Sequence, residues 1–276
     1  MKTWLEVALN GSWGKALQPG IPVSVAEIIA EGIACAREGA AIVHVHAYDE
    51  ASGRQCEEAH VYQRIIEGIR SQVDCIVYPT IPLAANMPAA ERFAAVEALA
   101  RGGLIEWSVV DPGSVNIAGY IYINPEEHVR HGLALAARYG FRPAYAIYEP
   151  GFVRLGAALA RAVNGAPQPA YRFMFSEGFS FGFPPAEYAL DAYLRLLASE
   201  APGAPWMVGG LAVDVLKLAP AAIARGGHVR VGLEDAPLGS LRSNLEWVQA
   251  ARRVIERTGA TLASVDDVRQ ASKRRT

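Results

Sequence analysis

His44 and His46 stand two residues apart in the run Val43-His44-Val45-His46-Ala47. On an extended strand that spacing puts both imidazoles on one face. Two imidazoles side by side make a bidentate site for zinc or a similar divalent ion. A lone strand histidine would more simply pack inside and bond locally; the pair favours a metal. A third donor is available in His228-Val229-Arg230-Val231-Gly232-Leu233-Glu234-Asp235. There Arg230, Gly232 and Glu234 read as one face, with Gly232 leaving space between the charges. Two histidines and one carboxylate leave coordination positions open for a substrate oxygen. An inward Arg230 can grip a carboxylate through two parallel hydrogen bonds. Asp235, read as lying at the rim, is the candidate general base. A cation polarising a carbonyl beside such a base suits proton abstraction α to that carbonyl, or cleavage of the adjoining C–C bond. A surface Arg–Glu–Asp cluster is the competing reading, but unpaired charges at a buried strand end are costly.

These residues need a scaffold that gathers strand ends. Eight short runs rich in β-branched and aromatic residues read as strands, at roughly 3–9, 41–47, 75–81, 104–110, 143–148, 171–176, 205–209 and 228–233. Most are apolar throughout, as buried parallel strands are. Amphipathic helical stretches lie between them at 26–39, 91–103, 126–140, 150–165, 186–200, 215–227 and 241–259. Ser24 with Glu27, and Asn124-Pro125 with Glu127, read as capping boxes. Gly39, Gly102-Gly103, Gly140, Gly226-Gly227 and Gly259 fall where helices must stop. The pattern predicts an α/β fold, a single (β/α)8 TIM barrel over 1–276, rather than a doubly wound sheet of five to seven strands. Residues 261–276 are surplus to the barrel. They read as a terminal helix and tail, with Ser264 and Asp267 as caps, packed on the barrel bottom or on a neighbouring subunit. Active sites of this fold lie at the C-terminal strand ends, where strands two and eight put their polar residues.

Composition narrows the partners. The 276 residues are 51% hydrophobic and 20% charged, which excludes a disordered chain. A formal net charge of −2 from 26 Lys+Arg and 28 Asp+Glu gives no field to recruit nucleic acid or an anionic membrane. The dense basic run Lys273-Arg274-Arg275 reads as a solvated tail. Three cysteines (Cys35, Cys56, Cys75) without paired spacing suit a reducing cytoplasm. Glu6 within the apolar start argues for a strand rather than a signal peptide, and no apolar segment approaches the roughly 18 residues of a membrane span. Barrels with an added terminal helix often assemble, so a homo-oligomer is expected.

The segments His44-Val45-His46-Ala47 through Gly53-Arg54, Gly113-Ser114-Val115-Asn116, and above all Gly226-Gly227-His228-Val229-Arg230-Val231-Gly232-Leu233-Glu234-Asp235 resemble the β-keto acid cleavage enzymes, also called 3-keto-5-aminohexanoate cleavage enzymes. The likeness runs in order over essentially the whole chain. It implies a zinc-dependent (β/α)8 barrel that reacts a β-keto acid with acetyl-CoA as cosubstrate, giving acetoacetate and a new acyl-CoA. It implies His44, His46 and Glu234 as zinc ligands, and Arg230 with Asp235 as the dyad that deprotonates the keto acid. Ser108 matches a threonine near the substrate in the aminohexanoate enzymes. Departures cluster in the substrate shell. Asn10-Gly11 replaces Thr-Gly, and Trp13 and Ala146 stand where those enzymes carry glutamates that hold an amino group. An aminated substrate is therefore disfavoured. Strand three ends Pro79-Thr80-Ile81-Pro82 in place of Ser-Thr-Gly-Gly. Ser176-Glu177-Gly178 brings in a carboxylate, and Gly209-Gly210-Leu211-Ala212 loses the arginine that commonly follows strand seven, in a loop where barrels bind phosphate groups.

Around this centre, Trp13, Ser108, Thr80 and Glu177 are the candidate substrate-binding residues. Trp13 reads as closing over the substrate, or as surface packing. Glu177 reads as a pocket charge, or as a solvated helix start. Asp111 and Glu149 read equally as pocket residues and as loop caps. Phe173, Phe175, Phe179, Phe181 and Phe183 divide between barrel core and an apolar pocket wall. His60, His128 and His131 read as solvent-facing, and His228 as belonging to the barrel bottom. Two other functions remain open: a CoA-independent, metal-assisted retro-aldol lyase or hydrolase of a keto acid, and a non-catalytic metal-dependent ligand-binding barrel.

Overall fold

All eight expected strands form. The structure, a computed structural model, describes residues 2–83, 86–117 and 119–273. The strands are β1 (Leu5–Ala8), β2 (Ile42–Val45), β3 (Ile76–Pro79), β4 (Trp107–Val109), β5 (Arg142–Ile147), β6 (Ala170–Phe175), β7 (Trp206–Gly210) and β8 (His228–Val231). They lie parallel in the order β3-β2-β1-β8-β7-β6-β5-β4. The two outer strands come together, with Tyr78 of β3 and Trp107 of β4 at 6.1 Å between ring centroids, so the sheet curls into a nearly closed TIM barrel. Every residue of these strands is buried, as expected where helices cover one face and side chains fill the other.

The helices are α1 (Val25–Glu38), α2 (Ala59–Arg70), α3 (Ala94–Arg101), α4 (Glu126–Tyr139), α5 (Pro150–Ala162), α6 (Glu187–Glu200), α7 (Ala219–Ala224), α8 (Asn244–Arg257) and α9 (Val265–Lys273). Ser24 and Glu27 form the expected capping box on α1. The stretch 91–103 is broken, because Phe93 leaves the helix to bury its ring and separates a turn at Ala89–Arg92 from α3. The stretch 215–227 is also divided: Asp214 caps a 3₁₀ turn at Val215–Lys217, and Pro220 opens α7. Helix α2, absent from the sequence reading, buries Tyr62, Ile65, Ile66 and Ile69 at helical spacing.

Two local expectations are overturned. Asn124 does not cap α4; it is buried, its amide donates to the Gly113 carbonyl, and its oxygen accepts from Arg92 Nη2 at 2.8 Å. His128 does not face solvent but is buried against Arg92, with Nη1 to Nδ1 at 3.4 Å. A buried guanidinium needs acceptors on all sides, and Arg92 draws in both residues. His131 is half-buried, and His60 is exposed as expected.

At the N-terminal end of the barrel, Lys2–Thr3 pairs with Thr261–Leu262, and α9 closes the bottom. Ser264 and Asp267 cap each other's backbone, Val268 is buried, and Arg269 bridges Glu106 and Asp74. The surplus segment thus packs on the barrel bottom. The solvated-tail reading of Lys273-Arg274-Arg275 lies outside the described side chains. Among the described residues, no helix is long and apolar enough to cross a membrane.

Candidate active site

His44 is the penultimate residue of β2 and His46 lies just past the strand end, with their rings 5.1 Å apart. Asn10 fixes the second histidine through its own backbone: its amide donates to the His46 carbonyl and its oxygen accepts from the His46 N–H, both at 2.9 Å. Strand β8 ends at Val231, so Glu234 is not on the strand face that alternation assigned to it. Gly232 adopts φ +131°, and a Cβ there would stand 2.2 Å from the Ala8 carbonyl oxygen. That close approach to β1 turns the chain inward and swings both Glu234 and Asp235 into the barrel. Gly11, at φ +64°, makes room for the carboxylate; a Cβ at this position would meet Glu234 Cγ at 2.6 Å.

The result is a three-donor cluster. His44 Nε2 lies 3.5 Å from one Glu234 carboxylate oxygen and His46 Nε2 lies 3.6 Å from the other. All three donor atoms fall within 4.8 Å of one another. These gaps are too long for strong hydrogen bonds, and Glu234 Oε2 is buried with no partner. Burial drives the His44 pKa well down, against the pull of Glu234 and with that of Arg230, so its lone pair is free. Burial alone would raise Glu234, but Arg230, His44 and His46 outweigh it and hold the carboxyl well below the usual range.

Behind the cluster runs a chain of buried charge. Arg230 donates to Glu234 at 2.9 Å, to Asp235 at 2.8 Å and to Glu6 at 3.0 Å. Glu6 accepts from the Tyr78 hydroxyl at 2.6 Å, and that hydroxyl accepts from Arg172 at 2.9 Å. Arg172 reaches Asp111 at 3.3 Å, which also takes the Tyr122 hydroxyl at 2.9 Å. This network holds four carboxylates (Glu6, Asp111, Glu234, Asp235) against two guanidiniums (Arg172, Arg230). Uncompensated buried charge is expensive, and one divalent cation at the histidines balances the set. The donor types, the orphaned oxygen and the charge surplus all fit a metal ion of the zinc class.

Asp235 is not at the rim. It is 2% exposed, lies behind Arg230 and accepts from its Nε and Nη2 and from the Gly210 N–H at 3.1 Å. Burial raises its pKa against the pull of Arg230. The cavity is lined instead by His44, His46, Glu234, Arg230, Trp13 and Thr80, with a tyrosine wall of Tyr120, Tyr122 and Tyr148. Trp13 donates to the Glu234 carbonyl at 2.7 Å and stacks on Phe179 at 5.7 Å, so it belongs to the mouth. Ser108 does not line the cavity. Val109 and Asp111 do, and strand alternation turns Ser108 away from them. Glu177 is exposed, pairs with Lys217 at 3.3 Å and stays outside the cavity. Glu149 accepts from the Gly182 N–H rather than facing the pocket. Phe173 and Phe175 are core, and Phe173 stacks on Tyr193 at 4.7 Å.

Arg172 and Tyr78 are site residues that the sequence reading missed, and Glu6 served it only to exclude a leader. A signal existed for two of them: a charge inside Trp4-Leu5-Glu6-Val7-Ala8 and another inside Ala170-Tyr171-Arg172-Phe173-Met174 contradict otherwise apolar buried strands. Tyr78 carries no such mark.

Fold and site together define a TIM barrel with a metal-ready His-His-Glu cluster at its mouth. A model of the beta-keto acid cleavage enzyme family matches residues 2–273, and the chain belongs to that family. Curated relatives include the 3-keto-5-aminohexanoate cleavage enzyme of Fusobacterium nucleatum subsp. nucleatum, 28% identical over 93% of this chain and 92% of that protein. The 3-oxoadipate:acetyl-CoA acetyltransferase of Cupriavidus necator is 27% identical over 96% of this chain and 92% of its own. Among solved structures, apo ObcA superposes with a TM-score of 0.76 at 17% identity, covering 92% of this chain and 66% of that one, and supports the fold.

Proposed function

We propose that this chain cleaves a short β-keto acid that lacks an amino group, in a metal-dependent reaction with acetyl-CoA that yields acetoacetate and a new acyl-CoA. The observation that carries this reading is the His44–His46–Glu234 cluster bonded through Arg230 to a buried, pKa-raised Asp235. His44, His46 and Glu234 would hold the ion. Bound there, a zinc-class ion supplies positive charge that polarises the keto-acid carbonyl and acidifies the adjacent C–H.

The protein's own groups do the rest. Arg230, lining the cavity, grips the substrate carboxylate, and in turning to it uncovers Asp235. Asp235 takes the proton from the carbon between the two carbonyl groups. The resulting enolate carbon bonds to the acetyl carbonyl carbon, and the CoA thiolate leaves. That thiolate then adds to the original ketone carbon. The C–C bond between that carbon and the enolate carbon breaks, and Asp235 returns its proton to the released acetoacetate. Trp13, anchored on the Glu234 carbonyl, walls the metal side of the mouth from water.

The cavity supports a substrate without an ammonium group. Ala146 and Trp13 line it, Asp111 is taken by Arg172, Tyr122 and the Ala146 N–H, and Glu234 is held by Arg230 on one oxygen and would give the other to the ion. The test is direct. Purified, zinc-loaded protein should form acetoacetate only when keto acid and acetyl-CoA are both supplied; keto-acid turnover without CoA would replace this reading with a CoA-independent lyase or hydrolase.

A further inference from the structure

The opposite end of the barrel holds a cation with no counter-charge. Arg142 opens β5 and is 4% exposed. Its Nη2 donates to the Ala271 carbonyl of α9 at 3.1 Å, while Nε and Nη1 are buried with no hydrogen-bond partner. Among the described residues, no carboxylate lies within ion-pair distance of it. The guanidinium sits between two indoles, 6.0 Å from the Trp4 ring centroid and 5.7 Å from that of Trp107. Aromatic faces favour a cation but do not neutralise it, and burial pushes Arg142 down to about 10. Among the described residues, every other guanidinium that is under a tenth exposed either reaches a carboxylate or, like Arg92, has all three nitrogens hydrogen-bonded.

We propose that this end of the barrel is a second ligand site, in which Arg142 binds the carboxylate of a small organic monoacid. Arg142 lines a cleft of about 240 Å³ together with Trp107, Ile76, Ile105, Glu106 and Arg269. The room exceeds that of a few waters. One unbalanced positive charge calls for a monoanion, and the apolar walls call for an organic body. Arg269 does not add a second anion-binding group, because its nitrogens are taken by Glu106 and Asp74. Glu106 at the wall repels a polyanion, which separates this site from a phosphate pocket. The site touches α9 through Ala271, so a bound acid would tie the terminal helix to β5.

Butanoate is the probe, titrated against the metal-loaded full chain and followed by ligand-observed NMR. Saturable binding is expected in the unaltered protein, and equally in the double variant His44→Ala, His46→Ala, which keeps the bottom intact. Arg142→Met should raise Kd at least tenfold, and inorganic phosphate should bind at least tenfold more weakly than butanoate. Binding kept by Arg142→Met, or lost in the histidine variant, overturns the assignment, and phosphate binding as tight as butanoate overturns the choice of ligand. Should Arg142→Met fail to fold, crystals of the unaltered protein soaked in butanoate decide. Density on the Arg142 guanidinium supports the site, and a clear difference map without it refutes the site.

Discussion

The two ends of this barrel handle buried charge in opposite ways. At the C-terminal mouth, Arg230 and Arg172 are each held by several acceptors, and carboxylates outnumber them. At the N-terminal bottom, Arg142 stands among Trp4, Trp107 and a His228 ring stacked 4.1 Å from Trp4, with no carboxylate of the described residues on it. The mouth is short of positive charge, and at the bottom, where Glu106 and Asp74 are both spent on Arg269, Arg142 is short of a negative partner among the described residues. A surplus of acceptors is what a cation site needs, whereas a lone cation between apolar walls suits a small anion. One fold thus presents two complementary electrostatic demands about a barrel length apart.

The mouth's demand is broken most completely at its ligands. His46→Ala should lower metal affinity more than roughly 100-fold, beyond the usual effect of losing a mere supporting partner of a ligand, and take turnover to background. Metal analysis after gel filtration, together with the acetoacetate assay, checks this. Asp235→Asn should keep the metal and lose about 10²-fold in turnover, the scale for a general base; unchanged turnover would remove Asp235 from the chemistry. Gly232→Ala tests the turn beneath both acidic residues. With φ +131° and a Cβ 2.2 Å from Ala8 O, it should destabilise the fold by about 3 kcal/mol or more in denaturant titration.

The bottom supplies a subtler probe. Burial holds the His228 pKa down to about 3, below its unfolded value of about 6.5. Between those values the unfolded chain binds the extra proton, so stability rises with pH and is lost as pH falls from about 6.5 toward 3. His228→Phe should reduce the slope of unfolding free energy in that window by about 1.4 kcal/mol per pH unit. An unchanged slope would mean that His228 is already charged in the native state. Least of all, Lys2→Ala at the solvent-exposed Lys2–Asp267 pair should move Tm by under about 2 °C.

Much of this arrangement was readable from residue order. His44 and His46 sit where strand alternation puts them, because β2 is regular through Val45 and Asn10 clamps His46. Helix ends at Ser24 and Gly140 followed local capping chemistry. Asp235 was misplaced because its depth depends on Gly232, whose positive φ answers to a neighbouring strand rather than to its own. Ser108 lies outside the cavity lining because strand alternation sets it opposite Val109 and Asp111. Asn124 and His128 failed because a buried Arg92, distant in sequence, needed acceptors.

Sequence by itself determined the barrel and offered His44, His46 and Glu234 as candidate ligands, since hydrophobic period, turn residues and donor types are local properties. Tertiary structure alone decided which charges face one another. It linked Glu6, Tyr78, Arg172 and Asp111 from four strands or strand ends into one network behind Arg230, and it left Arg142 without a carboxylate among the described residues. Pairing of buried charges depends on distances across the barrel, and those exist only once the strands have closed around a common axis.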